Sequence, residues 1–396
     1  MRDFIVTDTS CGEKTLTCAA LYEDGKLNML RAEEYGPRSR VGEVFRGCVD
    51  SVAANIGGAF IRDGRGGTFF LPLKKSRHEH GKTRHETAFG RIVQSQPLLV
   101  QVRKDASGLK EAVVTEDIEI AGRYAVVSRK PGKTSFSAKL SAEQKDLLRK
   151  WVDDSPCPEF HLTVRTNAAY AEKGALLEEI TALADTLKGI LSDYEKAGTG
   201  TVLYRPYPFY IEALRDLYEL PDRCFSDIPS CREMMEALFS GTDGAKPEVS
   251  EPLRGQLSLA ELYHLPEDLL KLGQKRVWLK SGAFIVIEQT EAFVSIDVNT
   301  GRSAKGRIPE ETYRRVNLEA AAEITLQMNL RNLSGMILVD FISLENPDHR
   351  EELVNVMKKL VRKDRIHTEV IDLTPLGIME IVRQKVRKPL AEVLSL

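Results

Sequence analysis

Phe293-Val294-Ser295-Ile296-Asp297-Val298-Asn299-Thr300-Gly301-Arg302 is an apolar run that ends in a carboxylate and a turn. Met336-Ile337-Leu338-Val339-Asp340-Phe341-Ile342 repeats the pattern further along the chain. Each places an acid at the end of a buried strand, which is where α/β sheets form their ligand crevices. An ionised carboxylate in that setting is costly unless something compensates it. The spacing leaves two readings open. Asp297 could start an Asx-type turn into Asn299-Thr300-Gly301 and Asp340 could cap the turn that follows it, because Asp and Asn are common turn formers. Alternatively the two acids converge on a hard-oxygen site suited to Mg²⁺, with Asn299 orienting Asp297. Arg302, Lys305 and Arg307 directly follow the first acid, and acid at the centre with base around it suits metal-assisted phosphodiester cleavage.

Around these two runs the pattern predicts strands over residues 276–279, 283–289, 292–297, 336–342 and 368–373, with helices over 309–330 and 350–363. Strands alternating with helices at this spacing predict an α/β layer. Upstream, residues 40–120 are β-rich, with strand candidates at 42–49, 58–62, 68–73, 97–103 and 112–117. The turn Asp63-Gly64-Arg65-Gly66-Gly67 and others like it suggest a small barrel. Phe60 and Phe70 lie there among cations. Such aromatics either fill a core or stack the bases of single-stranded nucleic acid while Lys and Arg follow the phosphates. Phe69 must face the other side of the strand from Phe70. Between the two regions, Leu176, Leu177, Ile180, Leu183 and Leu187 recur at three and four, predicting a helix over 172–191 that covers a core with one face. Residues 201–259 read as alternating short strands and helices, with a surface loop at 241–252.

The chain has 396 residues, 42% hydrophobic and 29% charged, which excludes a largely disordered protein and is ample for several domains. No stretch approaches the roughly 18 apolar residues of a membrane span, and no apolar leader opens the chain, so a cytoplasmic protein is expected. The six cysteines form no CxxC pair, which argues against a disulfide scaffold and a zinc ribbon. Charge balances at 56 basic against 58 acidic residues, yet it is segregated: residues 74–110 hold nine Lys or Arg against three Asp or Glu, and residues 211–251 hold four against ten. The even mean therefore hides a basic segment suited to a polyanion.

The blocks VWLKSGAFIVIEQTEAFVSIDVNTGR (Val277 to Arg302) and NLEAAAEITLQMNLRNLSGMILVDFISL (Asn317 to Leu344) closely resemble the catalytic core of the ribonuclease E/G family. The resemblance implies an α/β and β multidomain endoribonuclease. Its parts would be an RNase H-like scaffold (1–36 with 198–272), an S1-type OB-fold RNA-binding barrel (37–121), a 5′-end sensor region (122–197) and a DNase I-like catalytic domain (273–396). It implies Asp297 and Asp340 as Mg²⁺ ligands, with Asn299 supporting them. It also implies Phe60, Phe70 and Lys110 as RNA contacts of the barrel, joined by the basic Arg302 and Lys305 beside the catalytic acid. Arg165 and Thr166 would read a 5′-terminal monophosphate against a wall of Gly122 and Val126, and a guanidinium suits phosphate because it pairs two oxygens at once.

Three departures qualify the likeness. Lys110 is followed by Glu111 where the family usually has Lys-Gly. Ala138-Lys139 stands where arginines often follow the sensing loop. The CPxC zinc motif that links subunits in many members is absent, so no zinc site is expected and the oligomeric state stays open between monomer and dimer. The expected function is Mg²⁺-dependent hydrolysis of single-stranded RNA to 5′-phosphate and 3′-hydroxyl ends, in rRNA processing and mRNA decay. The rival is an RNA-binding adaptor of the same fold that cleaves little or not at all.

Overall fold

A computed structural model describes residues 1–36, 39–77, 83–87, 90–106, 110–153, 157–239, 247–250, 257–301, 309–374 and 376–394. The chain divides into two compact units. One gathers Met1–Gly36, Leu220–Ser240 and Ala245–Leu396; the other is Pro37–Glu219 with Gly241–Gly244. The fold is mixed α/β with a small β-barrel.

The α/β layer expected around Asp297 and Asp340 lies in the first unit as a six-stranded sheet. Its order is Arg276–Trp278, Phe284–Gln289, Val294–Asn299, Gly335–Asp340, Ile378–Arg383 and Thr368–Leu373. Val294–Asn299 and Gly335–Asp340 run parallel, joined through the helix Glu310–Leu330, while the other pairs are antiparallel. A parallel pair needs such a crossover. That helix buries Val316, Ala320, Ala321, Ile324 and Met328 on one side, a spacing that keeps a single stripe against the sheet. A second helix, Pro347–Val361, adds Leu353, Met357 and Val361. Its start is set by Pro347 in the first turn and by the Asn346 side chain, which accepts the Asp348 N–H. Both helices cover the face that carries Ile285, Ile287, Ile296, Val298, Ile337 and Val339.

The same unit holds a five-stranded sheet ordered Glu248–Ser250, Arg223–Ser226, Arg2–Cys11, Lys14–Glu23, Lys26–Glu34. Glu248–Ser250 pairs parallel with Arg223–Ser226, so part of the stretch expected to be a surface loop is an edge strand; residues 241–246 and 251–252 lie outside the described residues.

In the second unit, Val44–Ala53, Gly58–Arg62 and Thr68–Pro72 form an antiparallel meander. Ala112–Thr115 joins Thr68–Pro72 in parallel, and Pro97–Lys104 pairs with both Ala112–Thr115 and Val44–Ala53. That last pairing closes a five-stranded barrel, the arrangement of an OB-type fold. Phe45, Ile61, Phe69, Leu71 and Val100 fill it. Beside it in sequence, Glu119–Ala121, Ala125–Ser128, His161–Val164 and Ser135–Phe136 form a four-stranded sheet covered by the helix Lys173–Lys196 through Leu176, Ile180, Ala184 and Leu187.

Candidate active site and RNA-contact residues

Strand register decides the geometry of the carboxylates. Asp297 stands directly opposite Asp340 across the parallel pair, one strand spacing apart, about 4.8 Å. Residues i and i+2 share a face, so Asp297 and Asn299 project together, opposite to the buried Ile296 and Val298. Asp340 likewise projects away from the buried Val339, and both acids are exposed. The face opposite the helices therefore presents two acids side by side. Asp297 sits within its strand and not at the head of a turn. Asn299 Nδ2 donates to Asp297 Oδ2 at 2.7 Å, which orients that carboxylate. The chain then turns at Gly301, whose φ is +76°. A Cβ there would stand 2.3 Å from the Gly282 carbonyl oxygen, so only glycine lets the two turns at this end of the sheet approach so closely.

Among the described residues neither acid forms an ion pair, and no group of three or more His, Cys, Asp or Glu side chains that could hold a metal ion is found. Arg302 and Lys305 lie outside the described residues.

On the barrel, Phe60 and Phe70 are register partners on adjacent strands, half-buried, with ring centroids 5.8 Å apart in an edge-to-face arrangement. Phe69 points inward, 5.1 Å from Phe45. Gly58 was not singled out in the sequence, yet a Cβ there would stand 2.2 Å from the Phe70 ring, so the ring lies over bare backbone. Lys110 is exposed next to the strand Ala112–Thr115.

In the four-stranded sheet, the Arg165 guanidinium donates to the Gly122 carbonyl and to Asp216 Oδ1 at 2.9 Å. Val126 lies one strand over, paired with Thr163, while Thr166 Oγ1 is 2.9 Å from Ser137 Oγ. Arg165 and Gly122 are thus in contact, with Thr166 adjacent and engaged elsewhere. Sequence reading missed two acids here. Asp216 also receives Arg215 Nε at 3.0 Å. Glu179 accepts three consecutive backbone N–H groups, from Arg123, Tyr124 and Ala125, at 2.7–2.9 Å. Burial pushes the Glu179 carboxyl above its ordinary value even though those three donors pull it down. Its carboxylate also fills the space a Cβ at Gly122 would need. The signal was available: Glu179 follows Leu176 by three on the helix's apolar side.

Residues 119–386 match the family model described as the ribonuclease E/G family. The chain belongs to the ribonuclease E/G family. It is similar to "Ribonuclease G" of Escherichia coli K12, 28% identical across 96% of this chain and 79% of that protein. It is also similar to "Ribonuclease G" of Haemophilus influenzae, 29% identical with the same coverage. "Ribonuclease E" of E. coli K12 is 27% identical over 94% of this chain, which spans 36% of that longer protein. Both carboxylates fall within the span matched to the ribonuclease E/G family, whereas the barrel precedes it.

Proposed function

We propose that this ribonuclease E/G family member is a Mg²⁺-dependent endoribonuclease of the cytoplasm. It cuts single-stranded RNA to 5′-phosphate and 3′-hydroxyl ends, in the processing and decay of RNA. The observation that carries the reading is the in-register pair Asp297 and Asp340 on an open sheet face, braced by Asn299. The donor set fits Mg²⁺, which binds through one or two carboxylates, a phosphate and retained waters and needs no third protein acid. Asp297 and Asp340 would hold it, and when bound the ion supplies Lewis-acid polarisation of the phosphodiester and a water of lowered pKa. Asn299 keeps the Asp297 carboxylate aimed at the open face. Phe60 and Phe70 offer ring faces to successive bases, and Lys110 offers charge to the backbone. Arg165, with Thr166, Gly122 and Val126, reads the 5′ end, where an incoming phosphate must compete with Asp216 for the guanidinium. Arg302 and Lys305 add cations after the first acid in sequence.

The test is incubation with a labelled single-stranded RNA. Shortened products with 5′-phosphate ends are expected with Mg²⁺ and none with EDTA; RNA shifted on a native gel but never shortened would make the protein an adaptor. In the same assay an RNA with a 5′-monophosphate should be cut more readily than its 5′-hydroxyl twin. Arg165→Ala should erase the difference, since a hydrogen bond to a charged group contributes about 1.5–3 kcal/mol. Equal rates in the unaltered protein would remove the sensing role.

Gly58 allows a separate check of the barrel. Gly58→Ala must displace the Phe70 ring, and the expected result is a loss of RNA affinity equal to that of Phe70→Ala, about 1–3 kcal/mol for one stacked base. Filter binding reads both, and an unchanged affinity in Gly58→Ala would place Phe70 outside the RNA path.

A further inference from the structure

The open sheet face carries more than the carboxylates. Register aligns Arg276, Val286, Asp297 and Asp340 in one row, and Trp278, Phe284 and Asn299 in the next. Val277 packs toward the core, so Arg276 and Trp278 project onto the face that bears the acids. Trp278 is 62% exposed. Its ring lies 5.2 Å from that of Phe284, and the Arg276 guanidinium sits 4.5 Å from the Phe284 centroid and 5.7 Å from that of Trp278. Among the described residues Arg276 has no carboxylate partner. An indole left in water forgoes a large burial gain, and here it is held in place by a neighbouring ring and a cation. Phe284 lies on the strand next to that of Asp297, and Arg276 and Trp278 on the one beyond it, two strand spacings or about 10 Å across the sheet.

We infer that Arg276, Trp278 and Phe284 form a nucleotide subsite that stacks a base of single-stranded RNA next to the phosphate being cut. The inference rests on the ribonuclease reading above. Rings with an uncompensated guanidinium match a base and its phosphate, since stacking accepts any base and the charge follows the backbone. An apolar protein partner would leave that charge buried and unpaired.

The chain has two tryptophans, Trp151 and Trp278, so Trp151→Phe leaves Trp278 as the sole reporter. With Asp340→Asn added to keep the RNA intact, a single-stranded oligoribonucleotide should quench Trp278 emission, and an abasic oligomer of equal length should not. In otherwise unaltered protein, Trp278→Ala should raise KM about ten-fold with kcat within about two-fold, and Trp278→Phe should recover most of the loss. Emission indifferent to RNA, or an unchanged KM in Trp278→Ala, overturns the inference. Cutting without quenching removes the subsite and leaves the ribonuclease reading. Quenching in a wild-type protein that never cuts keeps the RNA subsite and removes that reading.

Discussion

Asp297→Asn and Asp340→Asn are each expected to lower the rate of RNA cleavage by about a thousand-fold or more, the loss of roughly 4 kcal/mol of transition-state stabilisation, while the melting temperature holds or rises. The two effects have one origin. Asp297 and Asp340 face each other across adjacent strands, exposed, with no cation paired to either among the described residues. Like charges held so close disfavour the folded state unless a cation joins them. Neutralising one relieves that repulsion and removes half of the proposed Mg²⁺ seat. Asn at 297 still accepts from Asn299 through its remaining oxygen, so the local geometry survives. Activity and stability moving in opposite directions mark a site maintained at the expense of the fold. If both variants cut at the wild-type rate, the assignment of this pair is wrong; if activity falls only together with the melting temperature, the acids are structural.

The second large effect lies at the other end of the same sheet. Arg383 and Asp364 form an ion pair of 2.7 Å with side chains 2% and 1% exposed. Arg383 also donates to the Leu333 carbonyl at 2.7 Å and to Asn332 and Asn329 at 3.1 Å each. One guanidinium thereby ties the strand Ile378–Arg383 to the end of the helix Glu310–Leu330 and to the turn before Thr368. Arg383→Met should cost about 3–5 kcal/mol, because it removes the guanidinium paired with the buried Asp364 carboxylate. The Ile366 N–H and the Thr368 hydroxyl also donate to Asp364, and as neutral donors they do not replace the charge of the guanidinium. Urea unfolding measures the loss, and the double change Arg383→Met with Asp364→Leu should recover much of it. An equal cost for the single and double variants would show that the carbonyl and amide contacts matter and the charge pair does not.

Local periodicity made much of this fold readable, and long-range partners account for what it missed. Gly58–Arg62 and Thr368–Leu373 fall where alternation predicts them. The strand expected over 292–297 is instead Val294–Asn299, extended because Asn299 pairs with Phe284, a partner that local β-propensity ignores. That shift matters chemically, since it sets Asn299 on the same face as Asp297. The strand Ile378–Arg383 was not anticipated: it reads as a short run ending in arginine, and Asp364 with three acceptors from residues 329–333 makes that buried arginine tolerable. The barrel was legible from its turns, whereas its closure by Pro97–Lys104 against Val44–Ala53 depends on pairing distant in sequence. For the candidate site, each acid was visible as a strand-end carboxylate, but their apposition is a property of register, as is the alignment of Trp278 and Phe284 beside them. Asp216 meets Arg165 across 51 residues and Glu179 meets the Tyr124 N–H across 55, so neither of these contacts is written in local spacing.

The order of strands in the six-stranded sheet also fixes a timetable. Asp340 has Asp297 on one side and Ile378 on the other, so its strand keeps an open edge after it is synthesised. At about 5–20 residues per second during translation, the strand that closes this edge emerges some 2 to 9 seconds later. Until residue 383 has been made, the sheet beneath the two acids is incomplete, so the chain must be synthesised almost to its end before Asp297 and Asp340 rest on a finished layer.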